Sequence, residues 1–300
     1  MDRTTELFCL IDDFCQQFEP LLAQRMVHHQ SAQEESSKRR RNRAGQMTLS
    51  EMSTIVVLFH TMRGRQFKHF YYGIVCRFMT AEFPRRLSYN RFVALMPRCA
   101  VVLAALFETL KGACTGISIA DSTPLAVCEN LRIPRHKVFK GLAQRGKSST
   151  GWFYGFKLHA VINHQGELLK LKLTAGNVDD RKALLGIASG LFGKLYADKG
   201  YIGKEFAQKM KDKGVDLVTR VRKNMKAVEQ SSFDRVLLRK RALVETVFDE
   251  LKNLCQIEHT RHRSLQNFAV NLMGGIVAYC LSPVKLRIAL RDSRDSLATN

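Results

Sequence analysis

Ile117-Ser118-Ile119-Ala120-Asp121-Ser122-Thr123 is the stretch from which the rest of the chain can be read. Isoleucines at alternate positions mark a buried strand, and the polar Asp-Ser-Thr-Pro124 cluster is expected to end it. A carboxylate at the mouth of an apolar strand costs free energy unless something pairs with it. A metal ion is one such partner, and further ligands for it must come from elsewhere in the chain.

Asp198 repeats the pattern. Leu195-Tyr196-Ala197 reads as a short strand that ends on an acid, and alanine precedes the acid in both places. Neighbouring strand ends in a mixed sheet bring such carboxylates within a few ångströms, a repulsive arrangement unless a divalent cation bridges them. Magnesium suits a few carboxylates plus water and phosphate oxygens. A pair of such ions aligns the attacking and leaving oxygens of a phosphoryl transfer. A third acid is expected from a long helix over 235–254. There Arg241, Glu245 and Lys252 are spaced to share one face, with Leu237, Val244, Phe248 and Leu251 on the opposite stripe. An ordinary surface charge ladder has the same pattern, and Asp249 and Glu250 compete with Glu245 as the third acid.

The 300 residues allow one large domain or two of ordinary size, and a net charge of +21 favours a polyanionic partner, nucleic acid first. Residues 1–110 carry 15 basic and 10 acidic side chains, against 33 and 17 in residues 111–300, so the basic surface belongs mainly to the half that holds Asp121. None of the eight cysteines forms a Cys-x-x-Cys pair. They read as reduced core residues of a cytosolic protein, not as a disulfide frame or zinc site. The start, Met-Asp-Arg-Thr-Thr-Glu, has no apolar signal core. The apolar run from Phe268 to Leu281 is interrupted by Asn271 and too short to span a bilayer, so a packed C-terminal helix and no membrane partner are expected.

Residues 4–29 have helical spacing, and a polar stretch follows that contains Lys38, Arg39, Arg40, Arg41 and Arg43. It reads either as a solvated loop or as a phosphate-contacting arm. Further helices are expected over Thr48–Arg63, through the aromatic segment Gln66–Phe78, after Ser88 and around Ala100–Leu110, in a unit resembling a helix-turn-helix. Lys111–Gly116 is a natural boundary. Beyond it come a hairpin over Trp152–Thr174 turning at Asn163–Gly166, a helix capped by Asp179 or Asp180, a strand at Lys194–Ala197, a helix at Lys204–Lys213 and a strand at Asp216–Val221. This order predicts an α/β fold with a mixed sheet flanked by helices. The expected domains are a helical DNA-binding domain over 1–112, a catalytic domain over 113–285 and a tail over 286–300.

At this point a resemblance becomes specific. Ile119-Ala-Asp121-Ser-Thr-Pro124, Trp152-Phe-Tyr-Gly-Phe-Lys-Leu-His159, Thr174-Ala-Gly-Asn-Val-Asp-Asp180, Tyr196-Ala-Asp198-Lys-Gly-Tyr201 and Arg241-x3-Glu245-x6-Lys252 occur in this order. Together they resemble a DDE transposase of a bacterial insertion sequence, most closely the IS982 family near the IS4 and IS5 groups. The resemblance covers about residues 115–280. It implies a ribonuclease H-like fold in which Asp121, Asp198 and Glu245 bind two magnesium ions, with manganese as a substitute. It also implies cleavage of transposon terminal inverted repeats and joining of the freed 3′ hydroxyl to target DNA, in a homodimer or higher oligomer within the bacterial cytoplasm. Arg241 and Lys252 would hold phosphates beside the cut. The IS4-type signature has a tyrosine three residues before the arginine, where this chain has Leu238. Trp152 is expected either in the hairpin core or stacked on an unpaired base. A nuclease that cuts without joining and a DNA-binding protein that has lost catalysis are the competing readings.

Overall fold

The computed structural model describes residues 2–30, 46–148, 151–220, 230–258 and 263–290. The chain forms two compact units, one of residues 1–110 with 253–281 and one of residues 111–252 with 282–300.

The first unit is helical. Its elements are α1 (Arg3–Gln30), α2 (Leu49–Thr61), α3 (Phe67–Phe70), a π turn (Tyr71–Val75), α4 (Cys76–Phe78), α5 (Tyr89–Leu95), α6 (Cys99–Leu110) and, from the far end of the chain, α11 (Leu265–Cys280). Thr48 starts α2 with a capping box. Its hydroxyl accepts from the Glu51 N–H at 3.1 Å, and Glu51 Oε2 accepts from the Thr48 N–H at 2.6 Å. α11, expected within the catalytic domain over 113–285, packs instead against α2 and α6 of the helical unit. Gly274 makes this possible, because a Cβ there would lie 2.6 Å from Val56 Cγ1 of α2. Tyr89–Leu110, and not the apolar run at Phe268–Leu281, is long and apolar enough to cross a membrane. Here it is broken by a 3₁₀ turn at Met96–Arg98, and it buries Phe92, Val102, Leu103, Leu106 and Phe107 inside the helical unit.

The second unit is a six-stranded mixed sheet with helices. It comprises β1 (Ile117–Cys128), β2 (Gln144–Ser148), β3 (Gly151–Asn163), β4 (Leu168–Ala175), α7 (Asp180–Ile187), β5 (Gly193–Ala197), α8 (Lys204–Lys211), β6 (Val215–Thr219), α9 (Ser232–Lys240) and α10 (Leu243–Asp249). β1 runs antiparallel to β3 and parallel to β5, which pairs in parallel with β6. The far edge of β3 is shared, with β2 opposite Gly151–Gly155 and β4 opposite Phe156–Ile162. The hairpin, its turn and the parallel strands lie where the sequence placed them. Leu184, Leu191, Phe206 and Met210 cover the sheet face that carries Ala120, Leu195 and Ala197. α9 is tied to β5 through Asp234, which accepts from Lys194 Nζ at 2.8 Å and from the Tyr196 hydroxyl at 2.7 Å.

Two local expectations are corrected. β1 does not stop at Pro124 but continues to Cys128. A proline is tolerated there because β5 pairs only with Ile117–Ile119, which leaves one edge of β1 outside the ladder at Pro124. The helix expected over 235–254 is also not continuous. A tight turn at Arg241-Ala242 separates α9 from α10, with the Val244 N–H donating to Arg241 O at 3.0 Å, and a π turn over Glu250–Leu254 follows. The apolar stripe survives both irregularities, since Leu237, Val244, Phe248 and Leu251 are all buried.

Candidate active site

The register of β1 and β5 places the first two acids. Ile119 stands opposite Tyr196, so continuing both strands by two residues brings Asp121 and Asp198 to the same level and the same face of the sheet. α10 contributes the third acid, Glu245, and the turn before it contributes Arg241. Arg241 is the common partner of all three. Nη1 donates to Asp121 Oδ2 at 3.1 Å, Nη2 donates to Glu245 Oε1 at 3.1 Å, and Nη2 lies 3.7 Å from Asp198 Oδ1. The Arg241 side chain is only 17% exposed. Three carboxylates around one guanidinium leave an excess of two negative charges when all three are ionised.

Asp121 carries most of the cost. Burial pushes its carboxyl up to about 6, and Asp198 and Glu245 push the same way. The Ser122 N–H, at 2.8 Å from Oδ1, and Arg241 only partly offset this. Behind it the Tyr201 phenol, buried and bonded to Ser122, is held protonated mainly by burial and then by the Asp121 charge.

A cavity of about 710 Å³ opens over the acids, and Lys147, Lys157 and Lys252 line it together with Asp180. Lys157 donates to Asp180 Oδ1 at 2.9 Å and to Val178 O at 3.0 Å. His159 is buried beside this pair, and desolvation depresses it to about 4 despite Asp180, so it is neutral at physiological pH. Its Nε2 meets Thr174 Oγ1 at 2.8 Å. Lys157, His159 and Thr174 stand in the motifs with no role read from the sequence, and Asp180 has only that of an alternative helix cap. The signal was present, because Lys157 and His159 alternate on one face of β3. Asp179 caps α7 by accepting from the Arg181 N–H at 2.8 Å, which frees Asp180 to face the cavity.

The remaining candidates divide. Lys252 shares the cavity with the acids, as does Asp249, whereas Glu250 is not among the lining residues. Trp152 is not a core residue. It is 54% exposed, with Arg145 Cζ at 5.2 Å and Lys147 Nζ at 5.8 Å from its ring centre. It borders a second cavity of about 430 Å³ that shares Lys147, Lys157 and Asp180 with the first. Leu238, in place of the tyrosine, is buried at 3% exposure and packs inward. Lys38, Arg39, Arg40, Arg41 and Arg43 lie outside the described residues.

The donor chemistry suits a hard divalent cation, since three carboxylate oxygens already surround one positive group. The spacing is set by the guanidinium, and among the described residues no three ligand side chains stand close enough to hold a metal ion as they are. A family model described as transposase DDE domain matches residues 111–265, which include all three acids and Arg241, Trp152 and Lys252. No curated protein and no solved structure matches the chain.

Proposed function

Because the chain belongs to the transposases with a DDE domain, as a match over more than half its length establishes, we propose that it cleaves transposon ends and joins the freed 3′ hydroxyl to target DNA. The observation that carries this reading is the convergence of Asp121, Asp198 and Glu245, from three separate elements, on the single guanidinium of Arg241. In this reading the three acids hold two divalent ions, magnesium or manganese. When bound, such ions supply charge neutralisation at the scissile phosphate and lower the pKa of an attacking water.

The chain's own residues do the rest. Arg241 cannot serve the acids and a phosphate at once, so its guanidinium turns from the carboxylates to the non-bridging oxygens beside the cut, where its two donors fit. Lys252 and Lys147 line the cavity as point charges for the same backbone. Lys157 is held by Asp180 and positions that wall. Trp152, exposed between two cations, offers a stacking surface for an unpaired base. The strand order β4-β3-β1-β5-β6, with β2 as an addition at the edge, supports the ribonuclease H-like reading. The helical unit and the basic residues Lys38, Arg39, Arg40, Arg41 and Arg43 are assigned to recognition of the terminal repeats, in an assembly of two or more copies on DNA in the bacterial cytoplasm. The IS982 grouping rests on the motif order alone.

The test uses a duplex carrying one transposon end and a plasmid target, with magnesium. Strand transfer products that vanish in Asp121→Asn support the proposal. Cleavage without joining would make the protein a nuclease of the same chemistry. Binding with no cleavage in magnesium or manganese would make it a DNA-binding protein only.

A further inference from the structure

The helical unit contains a cavity of about 560 Å³, within the size range of small-molecule sites. One side is aromatic, formed by Phe59, Phe67 and Tyr89. Phe67 lies 5.3 Å from Phe59 and 6.4 Å from Tyr89 by ring centres. The rim is basic. α2 ends through Arg63 in the left-handed region, with φ 56°. Gly64 then lies flat against the Phe59 ring, where a Cβ would come within 2.4 Å of Cδ2. This turn delivers exposed Arg65 and Lys68 to the cavity, which Arg263 joins, and among the described residues no acid lines it.

The floor is what points to a ligand. Asn267 and Asn271, one turn apart on α11, both line the cavity. Asn271 is 6% exposed, and its Nδ2 has no hydrogen-bond partner. Asn267 Oδ1 is likewise buried and unpaired. Leaving a buried donor and a buried acceptor unsatisfied costs about 1–3 kcal/mol each. Amide nitrogen and oxygen are assigned from their partners, and either assignment leaves unpaired amide atoms facing the same space.

We propose that this cavity binds a nucleobase together with its phosphate. The aromatic side takes the flat face of the base, for which stacking is worth about 1–3 kcal/mol. The two amides pair with its donor and acceptor edge, as asparagine does with adenine. Arg65, Lys68 and Arg263 meet the phosphate. The site does not depend on Asp121 or on metal, and it stands if the catalytic reading fails. Its ligand chemistry has two sources, a free mononucleotide or an unpaired nucleotide of a DNA end.

The full-length chain is titrated calorimetrically with each of the four deoxynucleoside monophosphates, in excess chelator so that divalent ions cannot carry nucleotides to the acids. Saturable binding of at least one is expected. Asn271→Val should weaken it about tenfold, and Arg65→Ala or Lys68→Ala should weaken the monophosphate about fivefold while leaving the unphosphorylated nucleoside unchanged. If Asn271→Val does not fold, the two exposed substitutions carry the test. A duplex with an unpaired 3′ nucleotide that displaces the monophosphate at lower concentration than a blunt duplex assigns the site to DNA. Otherwise the free nucleotide is the ligand. No saturable binding at millimolar concentration, or wild-type affinity in all folded variants, overturns the proposal.

Discussion

Ile119 of β1 stands opposite Tyr196 of β5, and this one register brings Asp121 and Asp198 level with each other. The two acids are therefore a consequence of sheet geometry, and only Glu245 depends on a helix docking correctly. Arg241 closes the set, so its side chain decides how readily the carboxylates accept another cation.

Arg241→Ala is expected to tighten manganese binding to the DNA-free protein by about tenfold, because it removes a positive charge from among three carboxylates. The same variant should cleave more slowly at saturating metal, having lost its grip on phosphate. Calorimetric titration of manganese, with no DNA present, checks the first half. Unchanged or weaker metal binding would show that the arginine does not compete for the site.

Asp121→Asn should abolish cleavage and leave binding to transposon ends near wild type. It should also change stability with a particular sign. The folded Asp121 carboxyl titrates at about 6, above its ordinary 3.8, so the folded state holds its proton more tightly than the unfolded chain. That contribution is fully present below about pH 4 and is lost as pH rises through about 6. In chelator, the variant should match wild type near pH 4 and exceed it by about 3 kcal/mol at pH 7. Urea midpoints across that range measure it, and a variant less stable at pH 7 would contradict the cost assigned to burial.

The acids were legible because each of the first two ends a short apolar run, and Glu245 was legible from its spacing to Arg241. Sequence spacing could not reveal that Arg241 contacts all three, because that depends on a tight turn between α9 and α10 in place of a continuous helix. Nor could it place Pro124 inside β1, since the tolerance comes from how little of β1 is covered by β5. The assignment of α11 was missed for a related reason. An apolar helix fits any core, and only the close approach at Gly274 selects α2.

Lys252→Ala should slow single-turnover cleavage more than it weakens binding, since Lys252 shares the cavity with the acids. Each duplex phosphate contact contributes a slope of about −0.9 in log affinity against log salt. The variant should therefore lower that slope by about one at most. Equal losses in affinity and no change in the saturated rate would make Lys252 an ordinary backbone contact.

Trp152→Ala should leave stability within about 0.5 kcal/mol of wild type, because the ring is 54% exposed. Its effect should appear on DNA with unpaired bases at the cut, weakened by about 1–3 kcal/mol relative to fully paired ends. Fluorescence titration with both substrates reads this directly, and equal losses on the two would assign the ring to duplex contact.

The π turn at Glu250–Leu254 has a consequence for kinship among such chains. A π turn holds one residue more than an α-helical turn requires. Losing that residue would return the segment to ordinary α-helix and leave the facing of its side chains toward the cavity unchanged, because the wider turn absorbs the extra residue locally. A relative lacking it would carry its distal cation one position closer to the glutamate in sequence while presenting it to the same cavity. What the cavity requires is thus the position of the cation in space and not a fixed count of residues between it and the glutamate.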